Sequence, residues 1–444
     1  MEHKIRDYHI KGIFWISLYL FITLAPLFIV LIGMEDGGRS FWTEFSVALG
    51  FVGLTMLALQ FILTARFSTI EAPYGIDMII EFHKQISLVA CIFIIIHPAI
   101  LMFTDSSNLQ LLNPLTAPFR ALMGLTSLFS LLIIVVISIF RKELNIGYEI
   151  WKTLHGILAI VAVITAFLHI IGVSHYLSNI WKQAFWGAIL IAAIATLLYI
   201  RIIKPWYLKN RAYIINDIKE ERGDTWTIEF KPNGHKGIDF KPGQFAWLTL
   251  GNSPFKIEEH PFSFSSSAEN GGTFTMTIKE LGDFTGKVEE FKKGDKAFID
   301  GPYGVFTPDR FDGYSGLVLI AGGIGVTPIM SILKTLSDRK SKCPILFFYA
   351  SEDLESITFY EEIEDIKKKL DIEVIHILKE TDDNWEGESG YLDEEKIEKY
   401  LPEDFKSRIY FLCGPDPMME QVEVALEKKG VPVGSINMEH FDLV

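Results

Sequence analysis

Six apolar runs of membrane length follow one another in the first 203 residues, approximately Ile13 to Gly33, Phe45 to Ala65, Ile79 to Phe103, Phe119 to Phe140, Ile150 to Val173 and Ile180 to Ile203. In lipid, a run of about 20 apolar residues satisfies its own backbone only as a helix. The first half of the chain is therefore read as a six-helix transmembrane bundle. The first run leads into Met34-Glu35-Asp36 and further spans, not into a small-residue cleavage site, and reads as a retained helix. If the spans alternate, Lys4, Arg6, Lys11, Arg66, Arg141, Lys142, Arg201, Lys204, Lys209 and Arg211 share one side, against Arg39, Arg120 and Lys182 on the other. The excess predicts a multi-pass protein of the cell membrane with both termini cytoplasmic.

Within these runs His83 and His97 stand 14 residues apart, and so do His155 and His169. At about 100° per residue, 14 residues fall within roughly 40° of whole turns and advance about 21 Å. Each of the two helices thus presents one face with an imidazole near either end. A lone histidine in a membrane helix is often an interhelical hydrogen-bonding group. Two matched pairs on separate spans point instead to two haems, each iron gripped by one histidine from each helix. The alternating topology puts His83 and His155 at the inner level and His97 and His169 at the outer one.

After Lys209 the pattern changes to short alternating runs. Arg211 to Phe230, Gln244 to Leu250 and Thr273 to Lys279 read as strands of a small antiparallel barrel. From Leu317, β-rich runs (Leu317 to Ala321, Ile345 to Tyr349, Glu373 to Leu378, Ile409 to Cys413) alternate with helical stretches, the signature of a doubly wound parallel sheet. The expected division is 1–207, 208–312 and 313–444. Residues 1–211 carry 15 Lys/Arg and 11 Asp/Glu, the remainder 26 and 44. A net-acidic soluble half argues against nucleic acid as a partner. Cys91, Cys343 and Cys413 form no CxxC pair, so neither a disulfide framework nor a zinc site is implied.

Motifs in the soluble half follow the order of a flavin-dependent nucleotide reductase. His260-Pro261-Phe262-Ser263-Phe264-Ser265 puts an aromatic and hydroxyls on a proline-stiffened strand suited to a flavin ring, though an ordinary barrel strand has the same look. Lys279, Gly282 and Thr285 mark a strand end, a close backbone approach and a hydroxyl at a helix start, which is a pyrophosphate seat or a capped turn. Leu319-Ile320-Ala321-Gly322-Gly323-Ile324-Gly325-Val326-Thr327-Pro328 runs from a buried strand through glycines into a helix, the context in which a dinucleotide phosphate meets a helix N-terminus. Cys413-Gly414-Pro415 ends another strand, with Cys413 either facing the nicotinamide or packing as a small hydrophobe. Phe441, near the end, is placed to cover a flavin until nicotinamide displaces it.

With these motifs in place the chain resembles the ferric reductase and NADPH oxidase superfamily, and its compact bacterial members in particular, over nearly its whole length. Tyr148-Glu149-Ile150-Trp151 ahead of His155 matches the family pattern leading into the fifth helix. The resemblance implies a ferric-reductase-type domain with two bis-histidine b haems, joined to a ferredoxin-reductase-like module. It also implies electron flow from NADPH or NADH through FAD and the haems to an extracytoplasmic acceptor. Residues expected to take part are His260, Pro261, Phe262 and Ser263 at the flavin, Lys279, Gly282 and Thr285 at its phosphates, and Gly322, Gly323, Gly325, Pro328, Cys413, Gly414 and Pro415 at the nucleotide. Phe441 matches the family's terminal aromatic, but Asp442-Leu443-Val444 follows it here, a departure from relatives in which that aromatic is last.

The acceptor implied is O2, giving superoxide; a ferric chelate drawing on the same electron path is the alternative. A membrane-tethered flavin reductase without functional haems would leave the matched histidines unused. Ser351-Glu352-Asp353 after the second strand of the parallel sheet would repel a 2′-phosphate and favours NADH or dual use, while Lys379 could reach the same region. Arg120 is an interfacial anchor or a partner for a haem propionate or an anionic acceptor. His175 reads as a loop residue that could assist an outer metal site. No calcium-binding loop or recruitment domain is read, and constitutive activity without an obligatory regulatory subunit is expected.

Overall fold

The computed structural model describes residues 2–32, 39–173, 175–177, 179–282, 284–381 and 385–441, with side chains from Tyr8 onward. The Met34-Glu35-Asp36 turn, Asp283 and the tail Asp442–Val444 lie outside the described residues. The chain divides into two compact units. One comprises Ile10–Ile70 and Met78–Lys204; the other comprises Met1–His9, Glu71–Asp77 and Pro205–Val444.

The long helices are α1 (Glu2–Leu31), α2 (Phe41–Leu63), α3 (Ile76–Thr104), α4 (Phe119–Ile139), α5 (Tyr148–Val173) and α6 (Ile180–Leu198). All six are long and apolar enough to cross a membrane. The protein is a multi-pass membrane protein. Helix α2 begins at Ser40, whose hydroxyl accepts the Thr43 N–H, and it is the central one. Of its most apolar stretch 61% is buried, against 11–22% in the other five. The outer faces of the rest stay apolar and exposed, as at Phe21, Ile92, Phe129, Ile157 and Ile191, which is what lipid contact requires. Between α4 and α5 the Ser127 hydroxyl donates to the Ala162 carbonyl at 2.8 Å, a close approach of the two backbones made possible by small residues.

In the second unit an antiparallel six-stranded sheet has the order β4-β3-β6-β1-β2-β5. Its strands are β1 (Tyr213–Glu221), β2 (Thr225–Pro232), β3 (Phe245–Leu250), β4 (His260–Ser263), β5 (Phe274–Lys279) and β6 (Lys296–Tyr303). The single run read from Arg211 to Phe230 is a hairpin, broken at Gly223 and Asp224, both with positive φ. The sheet curls into a half-barrel, and a lone bridge between Phe264 and Met276 joins its two edges. Phe230, Phe264, Phe274 and Met276 fill the interior.

A second sheet, parallel, has the order β10-β9-β8-β7-β11-β12, from β7 (Leu317–Gly322), β8 (Ile345–Ser351), β9 (Ile372–Leu378), β10 (Glu388–Ser389), β11 (Ile409–Cys413) and β12 (Ile436–Glu439). Helices α7 (Val326–Asp338), α8 (Tyr360–Lys367), α9 (Glu394–Tyr400) and α10 (Asp416–Lys428) supply its crossovers. Strands β7, β8 and β11 are almost wholly buried, because helices cover both faces of a parallel sheet. Residues 71–77 belong to this unit: the Glu71 carboxylate accepts the Gly304 N–H at 2.6 Å, and Arg310 donates to the Ala72 and Pro73 carbonyls.

Candidate functional site

Helices α3 and α5 bring the four histidines together in two pairs. The ring centres of His83 and His155 are 6.3 Å apart, and those of His97 and His169 are 6.4 Å apart. Each ring is anchored through Nδ1. His83 Nδ1 lies 2.8 Å from Gln60 Oε1, and His169 Nδ1 lies 2.7 Å from the Arg120 carbonyl. His97 Nδ1 lies 2.9 Å from the Ser46 carbonyl; the Ser46 hydroxyl spends its proton on the His97 carbonyl at 2.7 Å, so the imidazole is the donor. His155 Nδ1 has the Ser138 hydroxyl at 3.3 Å, which also accepts the Trp151 indole N–H at 3.1 Å. A carbonyl or amide oxygen only accepts, so at His83, His97 and His169 the proton sits on Nδ1 and Nε2 keeps its lone pair.

Close packing of glycine permits these positions. A Cβ on Gly124 would stand 2.8 Å from His169 Nδ1, and one on Gly50 would stand 3.3 Å from the His97 ring. The His97 and His169 pair lines a cavity of about 380 Å³ whose other walls include Phe51, Leu101, Met102, Leu111, Leu125 and Tyr176. That volume lies within the roughly 300–1,000 Å³ of small-molecule and cofactor sites. Arg120 therefore meets the site through its main-chain carbonyl. His175 packs edge-on against Tyr176 at 4.7 Å.

The flavin strand divides into two kinds of residue. His260, Pro261 and Phe262 are half-buried, and the Phe284 ring stacks on His260 at 4.2 Å, with Phe262 at 6.0 Å. Ser263 is buried at the strand end. Phe264 stacks on Phe240 at 4.0 Å inside the barrel, and the Ser265 hydroxyl is bonded to those of Thr275 and Thr277 at 2.9 and 2.8 Å. Phe264 belongs to the barrel interior, while Ser265, next along the chain, points to the opposite face, where its hydroxyl is already bonded. Thr285 opens a short 3₁₀ turn, and its hydroxyl accepts the N–H groups of the preceding Leu281 and Gly282 at 2.9 Å each. Lys279, at the end of β5, is half-buried.

The glycine-rich turn and the Cys413-Gly414-Pro415 turn lie against each other, since β7 and β11 are neighbours. A Cβ on Gly325 would stand 2.1 Å from the Cys413 carbonyl oxygen, and one on Gly322 would stand 2.7 Å from Pro415. Gly323 has φ +52° and open space where a Cβ would point. Helix α7 starts at Val326, with Thr327 bonded back to the Ile324 carbonyl and Pro328 in its first turn. Cys413 is wholly buried, paired in register with Glu439 on β12; burial pushes the thiol up, and it pushes the Glu439 carboxyl well above the ordinary range, with Asp77 and Glu71 adding to the effect. Phe441 is 40% exposed, and His440 Nδ1 lies 2.9 Å from Asp416. Ser351 ends β8, buried, and next to it Glu352 is ion-paired with Lys379.

The sequence reading missed Gln60, Ser46, Ser138, Glu71 and Glu439. One signal was available: Ser46 and Gln60 are themselves 14 residues apart, the same interval as His83 and His97.

Half-barrel, doubly wound sheet and six membrane helices define a membrane flavoprotein oxidoreductase that moves electrons with a nicotinamide nucleotide. Comparison with protein families matches residues 49–166 to the ferric reductase like transmembrane component, 217–307 to an FAD-binding domain and 319–424 to the oxidoreductase NAD-binding domain. The chain belongs to the ferric reductase and NADPH oxidase superfamily, and it binds FAD and NAD(P)H. It is 28% identical over 246 residues to the glycine betaine monooxygenase reductase subunit of Pseudomonas aeruginosa, covering 52% of this chain and 65% of that one. It is 32% identical over 207 residues to the probable dihydroorotate dehydrogenase B (NAD(+)) electron transfer subunit of Methanocaldococcus jannaschii, covering 46% and 70%. The chain thus spans just under two thirds of the first curated relatives it matches. Among solved structures, the flavohem-like FAD/NAD binding domain of nitric oxide dioxygenase from Vibrio cholerae aligns with 52% of this chain and 98% of its own, at 22% identity and a TM-score of 0.47.

Proposed function

We propose that the protein carries electrons from cytoplasmic NAD(P)H across the membrane to O2, producing superoxide on the far side, with His83 and His155 holding an inner b haem and His97 and His169 an outer one. The observation that carries this is the spacing of the paired rings. Two imidazoles that share one metal, with nitrogen–metal bonds of about 2 Å and roughly 1.2 Å more from nitrogen to ring centre, would have centres up to about 6.4 Å apart. The two pairs stand at 6.3 and 6.4 Å. Anchored Nδ1 atoms are the usual support of a ligating histidine. Among the described residues no three His, Cys, Asp or Glu side chains gather as a metal site; each pair offers two imidazoles, the donor set proposed here for a haem iron.

When bound, the flavin accepts hydride and the haem irons relay single electrons; the chain's residues bind, space and orient them. His260, Phe262 and Phe284 offer half-buried rings to the flavin, and Gly323 offers open backbone to the nucleotide phosphate. Cys413 and Phe441 are assigned to the nicotinamide side of the flavin. Apolar walls around the His97 and His169 pair suit a largely apolar macrocycle held between the two rings.

The purified protein is expected to show a b-type spectrum that NADH or NADPH reduces without air and O2 restores. His97→Ala and His169→Ala should each lose the outer haem while flavin reduction by nicotinamide survives. Full haem content in both variants would sink the ligand assignment. Ferric-chelate reduction insensitive to superoxide dismutase, with haems that O2 does not reoxidise within turnover, would replace O2 by the chelate.

A further inference from the structure

We propose that Gln60 is a positioning residue that fixes the tautomer of His83 and sets the reduction potential of the inner haem. The inference rests on the haem reading above. Gln60 lies on α2, 7% exposed, in an otherwise apolar stretch of the central helix. Its amide nitrogen donates to the Met56 carbonyl at 2.9 Å, which turns Oε1 toward His83 Nδ1 at 2.8 Å. With the amide's two ends assigned in this way, the histidine can only donate.

The four anchors differ in kind. Both outer histidines use main-chain carbonyls, those of Ser46 and Arg120. His155 has the weakest anchor, a hydroxyl at 3.3 Å that already accepts the Trp151 indole. His83 alone donates to a side-chain carbonyl, so its basicity depends on the residue at position 60. A stronger acceptor makes the imidazole more electron-rich and favours oxidised iron; a missing acceptor does the reverse. Antiparallel α2 also explains why the residue sits where it does: Ser46 and Gln60, 14 apart, meet His97 and His83, 14 apart.

The test is a potentiometric titration of full-length detergent-purified protein, followed by haem absorbance, on Gln60→Glu and Gln60→Leu. His169→Ala, alone and combined with each variant, identifies the inner-haem wave. Gln60→Glu, which puts a carboxylate against Nδ1–H, is expected to lower that potential by at least a tenfold change in the reduction equilibrium, about 59 mV for a one-electron couple. Gln60→Leu should raise it, and the outer wave should stay in place in both. Two retained haems with an unmoved inner wave in Gln60→Glu would overturn the proposal and leave the haem reading standing. A wild-type protein without a b-type spectrum overturns both.

Discussion

At the level of single residues, the most consequential group outside the histidine pairs is Glu439. It is wholly buried beside Cys413, and desolvation raises its carboxyl well above the ordinary value, with Asp77 and Glu71 reinforcing the shift. A carboxyl whose folded pKa exceeds its unfolded one favours the fold fully below the unfolded value, and that contribution is lost as pH rises toward the folded value. The melting midpoint of the flavin-bearing unit, followed by flavin release, should therefore fall as pH rises above the ordinary carboxylate range. Glu439→Gln should flatten that fall. Equal slopes in wild type and variant would show that Glu439 does not control it. Nothing in the local sequence announces this group: Glu439 is buried because β12 pairs with β11, a contact between distant parts of the chain. Histidine spacing was legible because a helix converts 14 residues into a fixed face and height. The anchors of His97 and His169 were not legible, since a main-chain carbonyl belongs to any residue type.

Among elements, the membrane helices were the most legible, because a lipid environment leaves an apolar run of that length no other structure. The glycine-rich turn was legible as a turn but not in its reasons. Gly322 and Gly325 make room for Pro415 and Cys413, about 90 positions later, whereas Gly323, in the same turn, combines positive φ with open space. These roles separate under substitution. Gly325→Ala forces main chain against main chain and should cost stability at the upper end of roughly 1–3 kcal/mol, seen as a lower melting midpoint. Gly323→Ala meets no atom and should cost only the left-handed strain, about 1–2 kcal/mol, while raising the KM for nucleotide. A normal KM in a folded Gly323→Ala protein would remove that residue from the phosphate site. Next to the same sheet, Lys379 is held by Glu352. If this edge of the sheet receives the nucleotide ribose, Glu352→Gln removes a carboxylate that would oppose a 2′-phosphate and frees the lysine. The ratio of kcat/KM for NADPH over NADH should rise several-fold, and an unchanged ratio would place nucleotide choice elsewhere.

For the whole molecule, the proposed reaction requires a direction: hydride must enter on the face that carries the soluble unit, and electrons must leave on the other. The excess of basic residues after even-numbered spans and at the N-terminus supports cytoplasmic termini. Leu115, 91% exposed in the connection between α3 and α4, would then face outward, and exposed Lys236 in the flavin half-barrel would face the cytoplasm. Cysteines placed there one at a time, in a background with Cys91, Cys343 and Cys413 replaced, give a direct reading in intact cells with a membrane-impermeant maleimide. Leu115→Cys should label without permeabilisation and Lys236→Cys only after it. The reverse pattern would put the nucleotide unit outside, where cellular NAD(P)H is not available, and would remove the basis for outward electron flow whatever the haem spectra showed.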